Sequence, residues 1–152
     1  MNEDVFFMNQ ALLCAQKADK LNEVPVGCVI VYKGKVIARG YNRRERKKNP
    51  LAHAEIIAIE KAAKKLGGYR LLDCTMYVTL EPCPMCAGAI INARIPRLVF
   101  GAHDKKAGCF GSVHDFNISG FNHTLDIKSG VCKQECSGIL TEFFKKLRGS
   151  SR

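Results

Sequence analysis

His53 and Glu55, two residues apart, and Cys83 and Cys86, three apart, are the side chains best suited to hold and use a metal ion. Two thiolates and an imidazole form a soft donor set that favours tetrahedral zinc. The segment Cys83-Pro84-Met85-Cys86 follows a strand-like run and opens a predicted helix. Free backbone N–H groups and the helix dipole there favour thiolate over thiol. A proline is tolerated in that first turn because its missing N–H has no partner to lose. Alone, such a cysteine pair also fits a redox dithiol or a zinc knuckle. His53 adds a third donor at a second predicted helix start, after the Asn49-Pro50 turn.

No fourth protein ligand has matching placement, since Cys74 precedes the strand and falls at its far end. Three protein ligands leave one position for water, which is the pattern of catalytic rather than structural zinc. Zinc brings the pKa of such a water down to about 7. Glu55 follows the histidine by two, and positions i and i+2 of a regular helix face different sides. Both reach one metal only if His53 sits at a frayed first turn. Glu55 is then a base beside the water rather than a ligand. A base, an activated water and an open coordination position together describe hydrolysis of an amidine-like centre.

The elements that must position these groups are legible from periodicity. Residues 3–20 read as an amphipathic helix capped by Asn2. Residues 26–32 and 35–41 read as a hairpin around Lys33-Gly34-Lys35. Residues 43–50 read as a basic loop, and 52–66 as a helix ended by Gly67-Gly68. A buried strand at 75–80, a short uncharged helix at 84–92 and a strand at 97–101 follow. Residues 103–124 read as irregular, and 132–147 as a closing helix. Strands and helices alternate after the hairpin, which predicts an α/β fold with helices on both faces of a mixed sheet. Cys132, Cys136, Ile139, Phe143 and Leu147 follow one helical stripe, so the cysteine pair reads as core packing rather than as a second metal site with His123.

The chain has 152 residues, which fits one domain over 1–152 with a full core. Apolar residues at 47% and charged ones at 25% give an ordinary globular balance. Eight cysteines without a secretory signal pattern point to reduced thiols and a cytoplasmic setting. No segment approaches the roughly 20 apolar residues of a membrane span. The formal charge of +10 favours a polyanionic partner such as nucleic acid. Arg43, Arg44, Arg46, Lys47 and Lys48 lie between Asn42 and His53, and Lys105 and Lys106 follow Asp104; all seven are candidate RNA backbone contacts.

His-x-Glu followed by Pro-Cys-x-x-Cys resembles the signature of the zinc nucleobase deaminases. The blocks Glu23-Val24-Pro25-Val26-Gly27, Asn42, Asn49 to Glu55, Val78 to Ile90 and Gly101-Ala102-His103-Asp104 are similar, in order, to the tRNA-specific adenosine deaminases. Asn49-Pro50-Leu51 departs mildly from the Asp-Pro-Thr common there. The resemblance implies a cytidine-deaminase-like three-layer α/β/α fold with about five strands, one zinc ion per subunit and a homodimer. It implies a tRNA anticodon stem-loop as partner, that of an arginine tRNA, with the wobble adenosine converted to inosine. It further implies that Asn42 hydrogen-bonds the flipped base, that Asp104 lines the pocket, and that Ala54 and Pro25-Val26-Gly27 shape it. Two rival readings remain at this point. The same zinc site serves a guanine, cytosine or nucleotide deaminase, and a non-catalytic zinc-stabilised RNA-binding module requires a fourth protein ligand.

Overall fold

The computed structural model describes residues 2–150, the side chain of Ser150 excepted. Helix α1 (Glu3–Lys20) leads into the hairpin β1 (Gly27–Tyr32) and β2 (Lys35–Tyr41). Then come a one-turn helix α2 (Arg44–Lys47), α3 (Ala54–Leu66), β3 (Cys74–Leu80), α4 (Pro84–Asn92) and β4 (Arg97–Ala102). The chain closes with β5 (Asp126–Ser129) and α5 (Lys133–Ser150). The sheet order is β2-β1-β3-β4-β5. β1 runs antiparallel to both neighbours, whereas β3, β4 and β5 are mutually parallel.

Strand alternation divides the core into two layers, because successive side chains leave a strand on opposite faces. Cys28, Ile30, Met76, Val78, Leu98 and Phe100 pack with Ala54, Ala58 and Ala62 of α3 and with Ala87, Ile90 and Ile91 of α4. Val29, Val31, Tyr77 and Val99 pack with Phe7, Met8, Ala11 and Leu12 of α1 and with Cys136 of α5. Helices therefore cover both faces of a mixed five-stranded sheet. This is the expected three-layer arrangement.

Asn2 caps α1 by accepting from the Asp4 amide at 2.8 Å. Two expected elements need correction, and one strand had no sequence signal. The helix expected from residue 52 begins at Ala54, with His53 in an extended conformation before it. The basic stretch 43–50 contains the helical turn α2, because Glu23 accepts from the amides of Glu45 at 3.1 Å and Arg46 at 2.7 Å. The fifth strand, β5, is a polar edge strand with only Ile127 partly buried, so it carries almost no hydrophobic signal. The C-terminal stripe is only partly core: Cys136 is buried, Cys132 precedes the helix at φ 54°, and Leu147 is half exposed.

Gly27 shows how tightly α1 lies on the sheet. A Cβ there would stand 2.0 Å from the Ala11 carbonyl oxygen and 2.4 Å from the Ala15 amide nitrogen, both backbone atoms. Neither can rotate away, so α1 must lift off the sheet to admit a methyl group. Gly27→Ala is expected to destabilise the fold by about 3 kcal/mol. For a chain of this size that lowers Tm by roughly 10 °C in a thermal melt. A melting temperature equal to wild type would show that α1 is not held this closely.

Candidate active site and metal centre

The site forms where two helices begin beyond the carboxyl ends of the parallel strands, the usual crevice of α/β sheets. His53 is the N-cap of α3 (φ −77°, ψ 154°) and Cys83 the N-cap of α4 (φ −76°, ψ 175°). Neither side chain caps its own helix, so both are free to face each other. Pro84 opens α4, and Cys86 lies one turn in. Because His53 is extended rather than helical, the backbone turns at Ala54. His53 and Glu55 can then converge despite their i, i+2 spacing.

The His53 Nδ1 atom lies 3.6 Å from the Cys83 sulfur and 3.6 Å from the Cys86 sulfur. The three donor atoms all lie within 4.8 Å of one another. Tetrahedral zinc, with Zn–S near 2.3 Å and Zn–N near 2.0 Å, separates its nitrogen and sulfur ligands by about 3.5 Å. The donor set and its spacing therefore fit that ion. Among the described residues no fourth His, Cys, Asp or Glu joins this cluster, and no second cluster forms. The His123 ring instead meets the Ile95 carbonyl at 2.8 Å and forms no such group with Cys132 and Cys136.

The electrostatics agree with that fit. Hydrogen bonding from Cys86 and then His53, with burial opposing, holds the Cys83 thiol down at about 4. The Cys86 thiol is pushed far up by its hydrogen bond to Cys83 and by burial. His53 is raised, chiefly by its hydrogen bond to Cys83, although burial opposes it. A bound dication would let both thiols ionise. Glu55 is 4% exposed, and burial raises its carboxyl to about 7.

A cavity of about 180 Å³ opens onto this cluster. His53, Glu55 and Cys83 line it together with Asn42, Ala54, Val26, Val24, Asp104 and Ala107. Arg44, Leu80 and Glu81 complete the lining. The Asn42 amide donates to the Val24 carbonyl at 3.2 Å and accepts from the Arg44 amide at 3.3 Å, so its side chain is fixed. One N–H and one lone pair remain for a ligand. Pro25 and Gly27 lie outside the lining: Pro25 is buried, and Gly27 faces α1. Arg43 is half-buried over the Tyr41 ring, whereas Arg46, Lys47, Lys48, Lys105 and Lys106 are exposed.

Two buried carboxylates were not singled out by sequence reasoning. Glu23 (1% exposed) holds α2 and hence Arg44 at the cavity. Glu81 (2% exposed) accepts from the amides of Asp104, Phe110 and Ser112 at 3.0, 2.9 and 3.1 Å and from the Ser112 hydroxyl. Burial pushes the Glu81 carboxyl up, but these hydrogen bonds outweigh burial and hold it below the usual carboxylate range. The available signal was an acidic residue just ahead of a proline step beside each half of the site, Glu23 before Val24-Pro25 and Glu81 before Pro82.

The family model of the MafB19-like deaminases matches residues 1–148. The tRNA-specific adenosine deaminase of Haemophilus influenzae is 51% identical over 147 residues, covering 95% of this chain and 85% of that protein. The tRNA-specific adenosine deaminase of Bacillus subtilis is 46% identical over 149 residues, covering 97% of this chain and 92% of that protein. A solved structure from work on A-to-I editing by tRNA:A34 deaminases at the wobble position superposes with a TM-score of 0.85 at 46% identity. That superposition covers 89% of this chain and 99% of the other. With the deaminase match running over nearly its whole length and relatives of this identity, the chain belongs to the MafB19-like deaminases and, among them, to the tRNA-specific adenosine deaminase family.

Proposed function

We propose that this chain converts the wobble adenosine of a tRNA anticodon loop to inosine, with one zinc ion per subunit held by His53, Cys83 and Cys86. The observation that carries the reading is a buried carboxylate, Glu55, lining a cavity beside a three-donor cluster with no fourth protein ligand among the described residues. When bound, the metal supplies a Lewis-acidic position at which water becomes acidic enough to attack.

Glu55 takes a proton from the attacking water and places it on ring nitrogen N1 of adenine as oxygen bonds to C6. It then carries the second proton to the departing amine, and ammonia leaves while the C6 carbonyl of inosine forms. Asn42 orients the base through its free amide groups. Asp104 and Ala54, with Val26 beside them, bound the space the base enters. A loop nucleotide is already unpaired, so placing it in the cavity costs little unstacking energy.

Arg44 lines the cavity, exposed Arg46, Lys47 and Lys48 follow it along and after α2, and exposed Lys105 and Lys106 follow the cavity residue Asp104 in the chain. This placement supports their contact with anticodon phosphates, with Arg43 behind them. Among the described residues no helix is long and apolar enough to cross a membrane. The homodimer, the cytoplasmic setting and the choice of arginine tRNA rest on the family resemblance.

Metal analysis of purified protein, paired with inosine mapping on total tRNA, tests the reading. The expected result is about one zinc per chain and inosine appearing at the first anticodon position of an arginine tRNA, with ammonia released in equal amount. Ammonia release from free guanine or cytidine with no inosine in tRNA would overturn it.

A further inference from the structure

We propose that Glu81 is a positioning residue for the substrate wall of the cavity: its buried carboxylate is the anchor on which residues 103–112 fold, and so sets where Asp104 stands. The inference rests on the deaminase reading and deepens it, since Glu81 has no part in the proton transfers assigned to Glu55.

Between Ala102 and Asp126 the described chain forms no strand or helix, only an isolated bridge of Phe110 with Asp115. A segment without regular hydrogen bonding must satisfy its buried amides some other way. Local turns satisfy some, such as Gly108 to the Asp104 carbonyl at 2.9 Å, and one side chain, Glu81, takes three others. The Glu81 Oε1 atom accepts from the Asp104 amide at 3.0 Å and from the Ser112 hydroxyl, and lies 3.4 Å from His103 Nδ1. The Oε2 atom accepts from the amides of Phe110 at 2.9 Å and Ser112 at 3.1 Å. Both ends of the 103–112 stretch thus converge on one carboxylate.

The fit leaves no slack. A Cβ at Gly108 would fall 2.3 to 2.5 Å from the Glu81 carboxylate atoms, so the chain passes directly over them. The Cys109 amide donates to the Pro82 carbonyl at 2.9 Å, which ties the same segment to the residue after Glu81.

The segment carries Asp104 and Ala107 into the cavity lining. Asp104 Oδ1 accepts from the amides of Lys106 at 3.0 Å and Ala107 at 3.2 Å, so the Asp104 side chain moves with this backbone rather than independently of it. Its other oxygen has no protein partner among the described residues. Glu81 also immediately precedes Pro82-Cys83, so one stretch of chain places a metal ligand and a substrate wall at once. Loosening the anchor should therefore weaken the hold on substrate while leaving the proton chemistry of Glu55 in place.

The test compares steady-state kinetics of zinc-loaded wild type, Glu81→Gln and Ser112→Ala on an anticodon stem-loop and on loops altered at the nucleotides beside the target adenosine. In Glu81→Gln an amide NH2 faces the loop amides in place of an acceptor. The expected result is a KM raised at least tenfold, a kcat within about threefold of wild type, and weaker discrimination between the loops. Ser112→Ala removes one donor from an exposed residue and is expected to raise KM two- to fourfold in the same direction. A merely structural role lowers the active fraction and leaves KM and discrimination unchanged, which overturns the proposal. A fall in kcat at unchanged KM overturns it too, because it places Glu81 in the chemistry. If Glu81→Gln does not fold, an unchanged KM and discrimination in Ser112→Ala overturns it, and a raised KM supports it. If wild type itself makes no inosine on the stem-loop, the deaminase reading fails instead, which is a separate outcome.

Discussion

Glu55→Gln yields a folded, zinc-loaded protein whose turnover on an anticodon stem-loop is lower by on the order of 10²- to 10⁴-fold, the range lost with a positioned acid–base group. Glutamine keeps the volume of the side chain, so the packing around this 4%-exposed position survives. It also removes a group whose charged form is penalised by burial, so thermal stability is expected to hold or rise. The three donor atoms of the cluster are untouched, since Glu55 is not among them. Single-turnover kinetics read the loss, metal analysis reads the zinc, and a thermal melt reads the fold. Near-wild-type turnover in the zinc-loaded variant would show that proton transfer runs through another group, and the role given to Glu55 would be withdrawn. Loss of zinc along with activity would show instead that Glu55 helps to hold the metal.

The centre of the site was legible because its residues announce themselves by type and by helix-start chemistry. Cys83, Pro84 and Cys86 sit where a proline and two thiolates are tolerated for separate physical reasons, and His53 follows a turn signal. The structure sharpens only one point there: His53 lies before its helix rather than within its first turn. What stayed illegible depends on distant partners. Glu23 and α2 are 22 residues apart in sequence at the Glu45 contact, and no local pattern in Arg43 to Lys48 predicts a turn of helix that another loop must cap. Glu81 looks like one acidic residue at a strand end until the fold brings residues 103–112 around it. β5 is read only by pairing, through Leu98 with Ile127 and Phe100 with Ser129, because its own residues are polar. Gly27 looked like part of a substrate block, yet its missing side chain serves the approach of α1.

A second large effect is expected far from the cavity, at Asp4. Its carboxylate accepts two hydrogen bonds from the Arg97 guanidinium at 2.9 Å each and one from the Tyr77 hydroxyl at 2.7 Å, with Lys128 at 3.4 Å. One side chain thereby joins the start of α1 to β3, β4 and β5. Asp4→Asn keeps the shape and one acceptor oxygen, but it removes the negative charge and turns an NH2 donor toward the guanidinium, leaving Arg97 only the exposed Asp126 at 3.5 Å as an ionic partner. Removing one partner of a buried pair destabilises by about 3 kcal/mol, at the low end of the usual range because Arg97 remains 31% exposed. That corresponds to a Tm lower by roughly 10 °C at neutral pH.

The pH dependence follows from the same geometry. Arg97 above all holds the Asp4 carboxyl well below the usual carboxylate range, with burial opposing and Tyr77 assisting. In the unfolded chain an aspartate titrates near 3.9. A carboxyl whose folded value is depressed adds stability that is present above the unfolded value and is lost as pH falls through it toward the folded one. The stability gap between wild type and Asp4→Asn is therefore expected to be full at pH 7 and to shrink from about pH 5 downward. Urea melts of both proteins between pH 7 and pH 3 measure it. A gap that stays constant across that range would mean that the ionised carboxylate is not what binds α1 to the sheet. Because this cluster sits on the α1 side of the sheet and the cavity on the α3 and α4 side, turnover per folded molecule should be the same in both proteins at pH 7.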